Sequence, residues 1–216
     1  MRPAALFFHR GFSIMVNGRL RGVWVRGQVP QRKTVWAANH HSWWDPFLAD
    51  VLVSRVGGTT GLIMDDANLE SFRFLRRVGV VGTTELRPAL QLLADGRVLV
   101  VFPEAELRPS GAPGPLADGA AWIAKRTGAT LVSAAVRLAM RGHEAPEAYV
   151  DLRVVPIADT VALTTERLAS TLAAGLADID AALSGTDPRI PLPGFEQVIS
   201  GRRSWDERLA RLAGRG

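Results

Sequence analysis

The apolar positions of this chain change rhythm repeatedly, from short continuous runs to stretches spaced three and four apart. Continuous runs bounded by Gly or Pro read as strands, and spaced stretches read as amphipathic helices. The strand-like runs are Val23–Gly27, Thr34–Ala38, Thr60–Met64, Val78–Val81, Val98–Phe102, Leu131–Met140 and Ala148–Val155. Between them the pattern predicts a helix from Phe47 to about Val56, closed by Gly57-Gly58. A second helix opens on Asp65-Asp66-Ala67-Asn68 and runs through Arg77, with Asp or Asn suited to capping. Two more cover Glu85–Asp95, stopped by Gly96, and Ala117–Arg126, stopped by Gly128. Pro103–Pro115 is crowded with prolines and reads as an irregular loop. A long Ala/Leu-rich helix is expected over Thr160–Leu183, then a Pro/Gly-rich tail over Gly185–Gly201 and a basic helix over Ser204–Leu212. Strands alternating with helices predict a single-domain α/β fold across 1–216, with a mostly parallel or mixed sheet and helices on both faces.

The first twenty residues form a separate question. Apolar positions 4, 5, 7, 8, 12, 14, 15 and 16 make one face of a short helix, flanked by Arg2, Arg10, Arg19 and Arg21. That pattern suits a helix lying in a membrane interface beside anionic head groups. It suits equally a helix packed on the body of the protein. No apolar run approaches the roughly 20 residues of a membrane span, and the start lacks the long apolar core of a signal peptide.

Composition narrows the partners more than the fold. With 216 residues, 47% hydrophobic and 22% charged, the chain is long enough for a real core and is not disordered. The absence of cysteine removes disulfides and thiolate chemistry, which fits a cytosolic setting. Lys33 and Lys125 are the only lysines among 26 Lys and Arg residues, and the net charge is +5. A basic balance suits an anionic partner such as phospholipid head groups or a phosphorylated donor. Nucleic acid is not expected, because the two lysines and single tyrosine offer no basic-aromatic strip.

The chemistry concentrates at Asn39-His40-His41-Ser42-Trp43-Trp44-Asp45-Pro46, a strand-to-helix turn. In open α/β sheets ligands bind at such turns, beyond the carboxyl ends of the strands. His40 and Asp45 are five apart, about 140° round an ideal helix, so they meet only if His40 lies in the turn and Asp45 near the helix start. A neutral imidazole then takes a proton from a hydroxyl while the carboxylate fixes its tautomer. No GxSxG nucleophile and no Cys accompany the pair. The nucleophile is therefore a hydroxyl on the substrate, which describes group transfer to an alcohol. A metal held by His40, His41 and Asp45 is not expected, because adjacent histidines point apart and no further ligand cluster exists.

The order strand, Asn-His-x-x-x-x-Asp, then Val100-Val101-Phe102-Pro103-Glu104 about sixty residues on, resembles the PlsC-like glycerophosphate and lysophosphatidate acyltransferase family over roughly Val23 to Pro156. The resemblance implies that His40 is the general base, that Asp45 orients it, and that Phe102, Pro103 and Glu104 help bind the acceptor. It implies acyl-CoA or acyl carrier protein as co-substrate, no metal or organic cofactor, a lipid hydroxyl as acceptor (first of all 1-acylglycerol-3-phosphate), and peripheral association with the cytoplasmic side of the membrane. Backbone N–H groups at the Pro46–Leu48 helix start are one source of an oxyanion hole. The pattern departs from the family after Glu104. Where Gly-Thr-Arg-Ser is usual, Ala105-Glu106-Leu107-Arg108 stands, so Arg108 is displaced by two positions and Glu106 adds a negative charge. The family's second motif ends on Arg, whereas Val78-Gly79-Val80-Val81-Gly82-Thr83-Thr84 has none. Arginine forks match phosphate in charge and shape. A lipid alcohol without phosphate, such as a glycolipid or glycosylated carotenoid, is therefore the close second acceptor. A non-catalytic acyl-chain-binding protein is the reading from a different class. Arg73, Arg76 and Arg77 either replace the lost charge and bind donor phosphates or form an exposed basic face. Trp43 and Trp44 either fill core or line the acyl path or membrane interface, Glu104 either bonds an acceptor hydroxyl or braces the loop, and His41 is a lining residue.

Overall fold

Residues 3–212 are described by the computed structural model. Eight strands form one sheet: β1 (Gly22–Arg26), β2 (Thr34–Ala38), β3 (Thr60–Met64), β4 (Val80–Gly82), β5 (Val98–Val101), β6 (Thr130–Ala139), β7 (Glu147–Val155) and β8 (Glu196–Ser200). Their order is β4-β3-β5-β2-β6-β7-β1-β8. The first five in that order run parallel, so the chain leaves β2, β3, β4, β5 and β6 at the same edge. The β6–β7 and β1–β8 pairs are antiparallel, and β7 and β1 run parallel, which makes the sheet mixed.

Helices cover both faces. On one face α1 (Pro3–Arg19) and α2 (Asp45–Arg55) pack through Val16, Leu48 and Leu52 onto Trp36 and Ala38 of β2 and Val98 and Val100 of β5. On the other, α4 (Leu86–Ala94), α5 (Gly119–Thr127) and α6 (Val161–Gly185) cover Val35, Ala37 and Leu99. Alternate residues of β2 thus point into different cores, as the period of two requires. β2 is buried along its whole length.

Several boundaries differ from the sequence expectation for local reasons. The helix expected through Arg77 breaks at Phe72. The Asp65 carboxylate caps α3 (Asp66–Ser71) by accepting the Ala67 and Asn68 N–H groups, and the chain tightens into a 3-10 turn over Arg73–Val78. Gly79 closes that turn at φ +96°, a conformation only Gly adopts without strain, so β4 starts at Val80 and not Val78. The Pro/Gly-rich tail carries a strand that the sequence pattern did not predict. Leu192, Phe195 and Ile199 are buried, and β8 pairs with β1. The polar sequence Glu196-Gln197 hides this strand because an edge strand needs only one apolar face. A last helix, α7 (Trp205–Leu212), follows, and residues 213–216 of the tail lie outside the described residues.

One face of α1 is packed on the body. Its Val16 and the following Leu20 are fully buried, Phe12 meets Phe47 edge-on at 4.8 Å, and His9 Nδ1 lies 2.6 Å from the buried Asp50 carboxylate. Ile14 remains exposed. Ala4, Ala5 and Phe7, expected on its apolar face, lie outside the described side chains. Among the described residues no helix is long and apolar enough to cross a membrane.

Candidate active site

The turn after β2 is built around one carboxylate. Asp45 opens α2, with Pro46 in the first turn where its missing N–H costs nothing. Asp45 Oδ2 accepts the backbone N–H groups of His41 at 3.0 Å and Ser42 at 2.9 Å, and Ser42 Oγ accepts the Trp44 N–H at 3.1 Å. These bonds curl the chain so that His40 Nδ1 reaches the same Oδ2 at 2.9 Å. A carboxylate oxygen only accepts, so Nδ1 carries the ring proton and Nε2 keeps its lone pair. The Asp45 side chain is fully buried, while His40 is about a quarter open to solvent (24%). Asp45 Oδ1 is buried without a hydrogen-bond partner, 4.0 Å from His41 Nδ1.

The segment after β5 clasps His40 from the neighbouring strand. The Phe102 ring stacks on the imidazole at 4.2 Å between centroids. The Glu104 carboxylate is 3% exposed and divides its oxygens, Oε1 accepting the His40 N–H at 3.0 Å and Oε2 the Gly114 N–H at 2.8 Å. Arg108 donates its own N–H to the His40 carbonyl at 2.8 Å. Of the two expected uses of Glu104, this geometry is the brace; both oxygens are engaged with backbone. Pro103 begins the turn, which closes through the Ala105 N–H on the Phe102 carbonyl at 3.0 Å. Ala105 stands at φ +61°, where a side chain costs roughly 1–2 kcal/mol relative to Gly. The Arg108 guanidinium pairs with Glu106 through Nη2, while its buried Nε lies 3.7 Å from Glu104 Oε2 without a hydrogen-bond partner. It rests over Gly114, where an added Cβ would sit 2.6 Å from the guanidinium carbon.

Asn39 and Arg137 join this cluster, and the sequence alone assigned neither of them a part. Asn39 Oδ1 accepts the Val136 N–H at 2.8 Å and its Nδ2 donates to the Val136 carbonyl at 3.2 Å, so a side chain continues the β2–β6 pairing past the strand end. The same Nδ2 lies 2.9 Å from His41 Nδ1 and makes that nitrogen the acceptor. Desolvation by burial lowers the His41 pKa below the ordinary 6.5, with the Asp45 charge opposing, so this ring is held neutral. Arg137, buried on β6, donates to the Gly111 carbonyl at 2.6 Å and pairs with Asp180 at 2.7 Å, which ties the 103–115 loop to α6. Its signal was a lone charge inside an apolar strand.

The remaining expected residues are more dispersed. Arg73 pairs with Glu70 at 2.5 Å and Arg76 with Glu85 at 2.7 Å, while Arg77 is exposed. The Arg76 hydrogen bond leads the causes that hold the Glu85 carboxyl below its ordinary value. Trp44 packs against the core, whereas Trp43 is 62% exposed and meets Phe47 at 4.5 Å. Rings continue through Phe12 and Phe8 to Phe74, at 6.2 and 5.8 Å, with Phe72 beside it. Of the helix-start donors expected over Pro46–Leu48, Phe47 alone is left: Pro46 has no N–H and Leu48 donates to the Trp44 carbonyl. Among the described residues no group of three or more His, Cys, Asp or Glu side chains is placed to hold a metal.

Comparison with known proteins bears on the family and the fold. Residues 23–137 match the sequence profile of the family described as Acyltransferase. No curated protein matches the chain. Among solved structures, the fold is similar to that of the 1-acyl-sn-glycerophosphate (LPA) acyltransferase PlsC from Thermotoga maritima, with a TM-score of 0.62, 19% identity and 84% of each chain covered.

Proposed function

Because the chain belongs to the acyltransferase family, we propose that its His40–Asp45 pair carries O-acyl transfer from a fatty-acyl thioester to the hydroxyl of a lipid. The observation that carries this reading is the hydrogen bond of His40 Nδ1 to a fully buried carboxylate, which leaves Nε2 as the free base. In the reaction Nε2 removes the acceptor hydroxyl proton as its oxygen attacks the thioester carbonyl. Asp45 offsets the charge of the imidazolium. The tetrahedral intermediate collapses, the carbon–sulfur bond breaks, and the same nitrogen returns the proton to the thiolate. The products are a lipid ester and a free thiol. Phe102, stacked on the ring, limits its rotation, and the Glu104 brace fixes its backbone.

The donor is the thioester of CoA or of acyl carrier protein. Two acceptors stand. Lysophosphatidate follows from the likeness to the Thermotoga maritima protein, which is described by that substrate. A lipid alcohol without phosphate is favoured by the pairing of Arg73, Arg76 and Arg108 with carboxylates. We place the protein peripherally on the cytoplasmic face of the membrane; contact with a membrane surface is supported by exposed Trp43 at the site and by exposed Phe72 and Phe74 farther along the same run of rings.

Thiol release from palmitoyl-CoA and palmitoyl carrier protein tests this, against lysophosphatidate, lysophospholipids, glycolipids and no acceptor. Acceptor-dependent release that disappears in His40→Ala is the expected result. Release without acceptor would indicate a thioesterase. Silence with both donors, alongside tight acyl-chain binding, would mean a non-catalytic acyl-chain-binding protein.

A further inference from the structure

The guanidinium joined most directly to the base is the one on Arg108. Its backbone N–H holds the His40 carbonyl at 2.8 Å, and its side chain lies against the Glu104 carboxylate, whose other oxygen holds the His40 N–H. Base and cation are thus linked through one buried carboxylate and the His40 main chain. The cation is already matched. Glu106 Oε1 contacts Arg108 Nη2 and Glu104 Oε2 lies 3.7 Å from Nε, so one positive charge faces two negative ones. Glu104 is committed to two backbone N–H groups. Glu106 is not: its side chain is 62% exposed, and Arg108 is its partner.

We propose that Glu106 is a specificity-determining residue: it occupies the Arg108 fork as a built-in anion and selects acceptors whose head group near the reacting hydroxyl is uncharged. The inference rests on the acyl-transfer reading above. A phosphomonoester carries between one and two negative charges near neutral pH. To use Arg108 it must displace Glu106 into solvent and then sit beside the remaining carboxylate. An uncharged glycerol or sugar head group displaces nothing, and the carboxylate of Glu106 accepts hydrogen bonds from its hydroxyls. An exposed ion pair contributes little to stability, so Glu106 can be changed without threatening the fold.

The test is a competition. The full chain receives palmitoyl-CoA, or palmitoyl carrier protein, with equimolar 1-oleoylglycerol and 1-oleoylglycerol-3-phosphate in uncharged micelles, and the ratio of diacylglycerol to phosphatidate is read by mass spectrometry. The wild type is expected to form mainly diacylglycerol. Glu106→Gln shifts the ratio about tenfold toward phosphatidate, the scale of removing one charge at close range in a wet site. Glu106→Asp restores the wild-type preference, the double change Glu106→Gln with Arg108→Gln loses the gain, and Glu196→Gln at the far edge of the sheet leaves the ratio alone. A wild type that forms mainly phosphatidate, or a ratio that Glu106→Gln does not move, overturns the role of Glu106 while leaving acyl transfer standing. No ester from either acceptor with either donor overturns acyl transfer itself, and the role of Glu106 with it.

Discussion

Replacing Glu104 by Gln separates a brace from an acceptor contact. In the wild type the buried carboxylate accepts two backbone N–H groups, from His40 at 3.0 Å and Gly114 at 2.8 Å. Hydrogen bonds to a charged partner contribute roughly 1.5–3 kcal/mol each. Gln keeps one accepting oxygen, but its NH2 group turns toward a backbone N–H, donor against donor. The expected loss is therefore one charged hydrogen bond plus a buried donor left unpaired, together about 3–4 kcal/mol. Urea unfolding followed by circular dichroism reads this as a lower midpoint at unchanged slope. The kinetic consequence follows from which residue is released. His40 loses its backbone anchor, so with a phosphate-free acceptor kcat falls by about 10²-fold, as a small misplacement of a base does, while KM stays within about twofold. The reverse pattern would refute the reasoning: KM raised with kcat and the urea midpoint both intact means that Glu104 touches the acceptor and does not brace His40.

Two further outcomes follow from the same cluster. Asp45→Asn keeps an oxygen for the His41 and Ser42 N–H groups but removes the charge opposite the imidazolium, about 4 kcal/mol for a pair roughly 4 Å apart at an effective dielectric near 20; kcat should fall about 10³-fold in the thiol-release assay with the fold retained by circular dichroism. The depressed His41 pKa means that the unfolded chain binds a proton there at a higher pH than the folded chain does. Stability from this residue is fully present above its unfolded value near 6.5 and is lost as pH falls from there toward the lower folded value; urea midpoints at pH 7 and pH 5 should therefore differ less in His41→Gln than in the wild type.

Much of the fold was legible because it is written in local periodicity. The apolar runs at Thr34–Ala38 and Val98–Val101 can only be buried strands, and the Gly stops at Gly96 and Gly128 mark helix ends by their left-handed backbone. The polar strand β8 and the break at Phe72 were not legible. One depends on an edge that β1 offers from far along the chain, the other on a cap and a glycine competing with helix propensity. The same division runs through the site. Residue types and spacing put His40 and Asp45 forward, since a base and its orienter need those side chains and a turn to bring them together.

What the sequence by itself determined is the alternation of strands and helices and the choice of His40, Asp45 and the Phe102–Glu104 segment as candidate site residues. Only the tertiary structure decided what each neighbour does. It brings β5 beside β2, so that Glu104 faces the His40 backbone instead of open space, and it lays Arg108 between two carboxylates. The physical reason is range. Propensity and pattern act over a few residues, whereas a charge is free or neutralised according to partners that only the assembled sheet and its loops bring within reach.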